Sequence, residues 1–132
     1  MNWFGARAYA EWADKRLPSG QEWEKAARGI DGRVYPWGEE FSVDRCNTRD
    51  SGREGTSGVG GFGEKGRSPW GAEDMAGNVW EWTESLWSEG GGNRVVRGGS
   101  WDYLGDLAAC AIRNLGPPQY RDTYVGFRCA RT

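Results

Sequence analysis

The sequence has 132 residues, with 17 Lys and Arg against 19 Asp and Glu and a formal net charge of −2 at pH 7. That near balance offers no basic excess for a nucleic-acid or anionic-membrane surface, and no stretch approaches the roughly 18 apolar residues of a membrane span. The length predicts one domain over residues 1–132 built round one core.

Nine Trp, five Tyr and four Phe with 22 Gly predict a core of large rings carried on much irregular chain, because indoles bury much area and need a partner for their N–H. Trp3, Ala6, Tyr9, Ala10 and Ala13 recur at helical spacing, with Arg7, Glu11 and Asp14 facing away. Leu17-Pro18 ends that helix. Ser19 followed by Glu22 has capping-box spacing and opens a second helix over Gly20 to Arg28, with Trp23, Ala26 and Ala27 on its apolar side and Gly29 at its end.

Asp31 to Pro69 loses periodicity and reads as a long loop region. Its glycines lack the spacing and the strand-turn-helix context of a phosphate cradle. Alternation returns at Val79 to Trp82, Arg94 to Trp101 and Val125 to Ala130, which predicts a small antiparallel sheet of three strands, with Glu89 to Asn93 as a hairpin loop. Between the last two strands, Asp102 to Tyr124 has no clean period, as suits a binding surface held at both ends by sheet. Cys46, Cys110 and Cys129 are an odd count without CxxC spacing, and the chain has no His. Neither a zinc site nor a complete disulfide framework is indicated.

Lys15-Arg16-Leu17-Pro18, Glu22 to Gly29, Tyr35-Pro36-Trp37-Gly38, Asp74 to Trp82, Arg94 to Trp101 and Gly126-Phe127-Arg128, in that order, resemble the formylglycine-generating enzyme (sulfatase-modifying factor) family. The resemblance implies an α+β C-type-lectin-like fold of the formylglycine-enzyme type: two helices, a small antiparallel sheet and extensive loops. Relatives usually carry a strand region ahead of the first helix, so the chain looks trimmed beside them.

The resemblance also places the two copper-binding cysteines of the enzymatic members at Tyr103 and Ala108. Neither supplies a thiolate, and there is no imidazole for the iron chemistry of other relatives. A helix-to-Cys129 disulfide of such relatives would need a cysteine at Ala10. The expectation is therefore a protein that is not an enzyme and requires no cofactor. The resemblance further implies a structural calcium site at Asn78 and Glu81 with carbonyls near Gly77 and Val79. Against it stands the reading that Asn78 caps a turn and Glu81 pairs with an arginine such as Arg97. A second family calcium site, near Asn47 and Thr48, lacks its acidic residue at Gly60.

Within the same fold the chain is similar to the variable proteins of diversity-generating retroelements, bacterial and phage proteins diversified at adenines over a C-terminal stretch. Arg97 to Trp101, Arg113, Pro117, Arg121 and Gly126-Phe127-Arg128 match the fixed framework. The resemblance assigns ligand contact to a region over 101–124. Its first part comprises Trp101, Asp102, Tyr103, Leu104, Asp106 and Leu107. Its second comprises Ile112, Asn114, Leu115, Tyr120, Asp122, Thr123 and Tyr124. Most of these are reachable from an asparagine codon by adenine changes. Leu104, Leu107, Ile112 and Leu115 could instead be core residues beneath a loop.

The expected partner is a protein or other macromolecular ligand. The sequence leaves host and compartment open, with no signal peptide visible: the candidates are the cytoplasm and display on a bacterial or phage surface. The alternatives are an oxygen-dependent sulfatase-modifying enzyme and a purely structural module.

Overall fold

The computed structural model describes residues 1–131. Helix α1 spans Trp3–Trp12, with the Asn2 side chain accepting from the Gly5 N–H at 2.9 Å at its start. Trp3, Ala6 and Ala10 are buried, as the spacing predicts. Tyr9, expected on the same face, lies at its margin, half-exposed and edge-on to Phe127 at 5.6 Å. Helix α2 spans Gly20–Arg28 and begins with both halves of the capping box: Glu22 N–H donates to Ser19 Oγ at 3.1 Å, and Ser19 N–H donates to Glu22 Oε1 at 2.8 Å. At its end Gly29 has φ of 70° but ψ of −145°. The residue takes the positive φ expected without the left-handed helical ψ.

Four strands form one sheet: β1 Trp80–Leu86, β2 Arg94–Arg97, β3 Arg113–Gly116 and β4 Val125–Phe127, in the order β3-β2-β1-β4. The expected three-stranded antiparallel sheet is corrected in two ways. β3 was unforeseen, and β4 runs parallel to β1, with Trp80 beside Val125 and Trp82 beside Phe127. The sheet is therefore mixed. The chain reaches β4 from the opposite edge, so it enters in the same direction as β1 rather than by a hairpin.

Period-2 alternation gives the sheet two working faces. On one, Trp80, Trp82, Val96 and Val125 bury against Trp3, Ala6, Ala10 and Leu17. The other carries Glu81, Thr83, Val95 and Arg97 toward α2, where Trp23 and Ala27 pack with Met75 and Cys110. A third cluster joins Cys46, Ala76 and Ala108 beneath Trp37 and Phe41.

The loop region 31–69 contains two short 3-10 turns, at Arg49–Ser51 and Gly63–Gly66. It is tied to the sheet end by a bridge between Asn47 and Gly77. Gly77 has φ of 76°, and a Cβ there would collide with the Asn47 carbonyl, so only glycine lets the two backbones meet. No helix of the described residues is long and apolar enough to cross a membrane.

Candidate functional site

The sheet register aligns Trp82, Val96 and Asn114 in one row across β1, β2 and β3. After β3 the chain leaves the edge at Pro117, crosses the sheet and re-enters it at Val125 on the far edge. Between this crossing segment and the sheet lies a half-open cavity of about 270 Å³. Trp80, Tyr103, Tyr120 and Tyr124 contribute its rings, while Trp82, Val96 and Val125 supply apolar surface. Leu115 and Pro117 also line it.

The rings stand in a chain of edge contacts. Trp80 meets Tyr103 at 5.3 Å and 87°, and Tyr103 meets Tyr124 at 5.6 Å and 74°. Tyr120 and Tyr124 join through their hydroxyls, and Tyr120 O–H also donates to Asp122 Oδ2 at 3.1 Å. The Tyr124 phenol is pushed up to about 12, first by its hydrogen bond to Tyr120 and then by burial. Burial, then the neighbouring Tyr124 and the Asp102 and Asp122 charges, raise Tyr103 as well. Trp80 is 2% exposed, and its Nε1 has no hydrogen-bond partner among the described residues.

The structure brings five of the thirteen expected ligand residues to this cavity: Tyr103, Asn114, Leu115, Tyr120 and Tyr124. The other eight do not line it. Trp101 Nε1 donates to the Thr123 carbonyl at 3.3 Å, Asp102 lies 3.8 Å from Arg49, and Asp122 Oδ1 accepts from Thr123 N–H. Leu104, Asp106 and Leu107 are exposed on or beside a 3-10 turn at Gly105–Ala108. Leu104, Leu107 and Leu115 are 50%, 36% and 39% exposed, so the core alternative fails for them. It holds in part for Ile112, which is half-buried against the core.

Tyr103 forms part of the cavity wall, while Ala108 is fully buried under Gly99. The three cysteines are free. Burial pushes the Cys46 and Cys110 thiols up to about 12, which keeps them protonated near neutral pH. Among the described residues no group of three or more His, Cys, Asp or Glu is placed to hold a metal ion.

Of the oxygens expected to hold calcium, those of Glu81 and Asn78 are already engaged. Glu81 Oε1 accepts from Arg128 Nε at 2.6 Å and Trp23 Nε1 at 2.7 Å, and Oε2 accepts from Arg128 Nη2 at 2.9 Å. Asn78, at φ of 68°, accepts the Ser57 N–H on Oδ1 and the Trp101 N–H on its carbonyl. Gly77 N–H donates to Gly98 O, and Val79 lines the neighbouring cleft with Glu73 and Asp74. A guanidinium in direct contact with the carboxylate stands where a cation would, so this donor set does not fit calcium. The turn reading of Asn78 agrees with its geometry. The arginine paired with Glu81 is Arg128, and not Arg97, which instead reaches Glu24 at 3.0 Å.

Residues 1–132 match the family described as the sulfatase-modifying factor enzyme 1-like domain. The chain belongs to this family. It is 38% identical over 147 residues to the inactive C-alpha-formylglycine-generating enzyme 2 of Bos taurus, covering 98% of this chain and 48% of that protein. It is 36% identical over 167 residues to the formylglycine-generating enzyme of Thermomonospora curvata, covering 98% and 54%. This sulfatase-modifying-factor-like chain thus spans about half the length of the curated relatives it matches.

Among solved structures, PvdO from Pseudomonas aeruginosa superposes with a TM-score of 0.83 at 26% identity, covering 96% of this chain and 58% of that one. Treponema denticola variable protein 1 superposes with a TM-score of 0.73 at 28% identity, covering 85% and 45%. The fold is the C-type-lectin-like fold of the formylglycine-enzyme type, as expected. Sequence reasoning missed Trp80, Trp82, Val96, Pro117 and Val125 as cavity residues. The alternation at Trp80 and Trp82 held the signal, since both share one face, but nothing in it tells which part of that face stays uncovered.

Proposed function

We propose that this sulfatase-modifying-factor-like domain is a non-catalytic ligand-binding scaffold that displays residues 101–124 toward a protein or other macromolecule. One observation carries the reading. Every one of the thirteen residues assigned to ligand contact is exposed or half-buried, while Trp80 and Trp82 of the framework are 2% and 0% exposed. A framework closed by indoles lets the overlying side chains change with little effect on the core. Tyrosines there add large contact area at low rotamer entropy, as in antibody loops. The likeness to a variable protein supports the same reading.

The second reading, an oxygen-dependent modifying enzyme, is favoured by the identity with the Thermomonospora curvata enzyme. Tyr103 and Ala108 at the copper-thiolate positions, and two thiols held protonated by burial, weigh against it.

The test is a display library randomised at Leu104, Asp106, Leu107, Asp122 and Thr123. Members are expected to keep the parental melting temperature within a few degrees and to yield binders to an arbitrary protein target. Widespread unfolding of the library would overturn the reading. So would oxygen consumption with turnover of a sulfatase-type cysteine peptide by the copper-loaded protein.

A further inference from the structure

The cavity between the sheet and residues 117–124 is aromatic and holds no cation of its own. Its walls are rings: Trp80, Tyr103, Tyr120 and Tyr124. None of its lining residues is charged. Tyr120 O–H donates to Asp122 Oδ2 at 3.1 Å, and the Tyr120 and Tyr124 hydroxyls meet each other. The hydroxyl row therefore ends on a carboxylate, and phenol oxygens stand along the cavity wall.

The surrounding charge has the same sense. Asp102 and Asp122 both act to raise the nearby phenols. Of the neighbouring arginines, Arg113 stacks on Trp87 at 4.3 Å and Arg49 is drawn to Asp102 at 3.8 Å. Arg121 is exposed and does not line the cavity. An anionic group would meet the Asp102 and Asp122 charges with no lining cation to offset them, whereas a cation would meet ring faces and phenol oxygens. At about 270 Å³ the space lies just below the roughly 300 Å³ where drug-sized sites begin. It suits one headgroup.

We propose that this cavity binds an alkylammonium group. The proposal rests on reading 101–124 as a ligand surface and names the chemistry that one part of it selects. A lysine side chain of a protein partner, methylated or not, and a free amine share that chemistry.

The experiment titrates the full chain by calorimetry with choline and with its neutral isostere 3,3-dimethyl-1-butanol. Choline is expected to saturate one site and to bind at least about fivefold tighter than the isostere. Tyr124→Ala should abolish binding, Tyr124→Phe should retain part of it, and Asp122→Asn should weaken it, with circular dichroism confirming that each variant folds. Peptides carrying lysine or trimethyllysine separate the sources. Binding at least tenfold tighter than choline assigns the cavity to a partner's side chain, and equal binding assigns it to a free amine.

Equal affinity for the neutral isostere, or no binding of choline and both peptides, overturns the proposal. Library-derived protein binders would still appear in that case if the display reading holds. Choline binding with a library that unfolds would reject display and keep the cavity.

Discussion

Arg128 closes on Glu81 through two hydrogen bonds, Nε to Oε1 at 2.6 Å and Nη2 to Oε2 at 2.9 Å, on a carboxylate that is 6% exposed. Because Trp23 Nε1 shares Oε1 at 2.7 Å, the pair joins the chain's last strand region, β1 and α2 at one point.

Breaking such a pair leaves a buried charge without its counterpart, typically at a loss of about 3 kcal/mol or more. Arg128→Ala is expected to lose about that much and Glu81→Gln a comparable amount, read as lower urea midpoints. A loss below about 1 kcal/mol would mean that water takes over the role of the guanidinium.

The same contact sets the response to calcium. With Arg128 on the carboxylate, saturating calcium and excess chelator should give melting temperatures within about 1 °C of each other, since an ion bound only to the folded form would raise the midpoint. A calcium-dependent rise of several degrees would show that the guanidinium yields its place.

Acid should expose the helix cap. The Arg16 guanidinium, then the Ser19 N–H, lower the Glu22 carboxyl from 4.5 to about 2. A folded pKa below the unfolded one stabilises fully above about 4.5 and loses that contribution as pH falls toward 2. The partners are 41% and 47% exposed, so screening holds the effect below about 1 kcal/mol. Glu22→Gln should flatten the stability profile between those pH values and leave its shape above pH 6 unchanged.

The thiols should sort by burial. Cys46 and Cys110 are buried with thiols near 12, whereas Cys129 is half-exposed. A disulfide reagent at pH 8 should modify at most one thiol in the native protein and three in denaturant. Fast native modification of two or more would contradict the packing around Cys46 and Cys110.

Both helices were legible because their signals are local: the spacing of Trp3, Ala6 and Ala10, and the reciprocal Ser19 and Glu22 cap. β3 was not. Arg113-Asn114-Leu115-Gly116 has no apolar alternation and is a strand only because β2 pairs with it. The direction of β4 was equally hidden, since it depends on which edge the chain crosses to, and no residue of Val125–Phe127 encodes that.

Tyr103, Tyr120 and Tyr124 were each foreseen as displayed residues, but not their convergence with Trp80, which needs the crossing segment folded over the sheet. For Glu81, the register does place Arg97 directly opposite. Glu24, one turn into α2, takes that arginine first and leaves Glu81 to Arg128.

Residues 117–124 run from β3, one margin of the sheet, to β4, the other. A chain fastened at both borders cannot loosen at one without slackening at the other. Amide exchange in Arg113–Gly116 and Val125–Phe127 should then share a single opening event, and a ligand that clamps the crossing would slow both borders by the same factor.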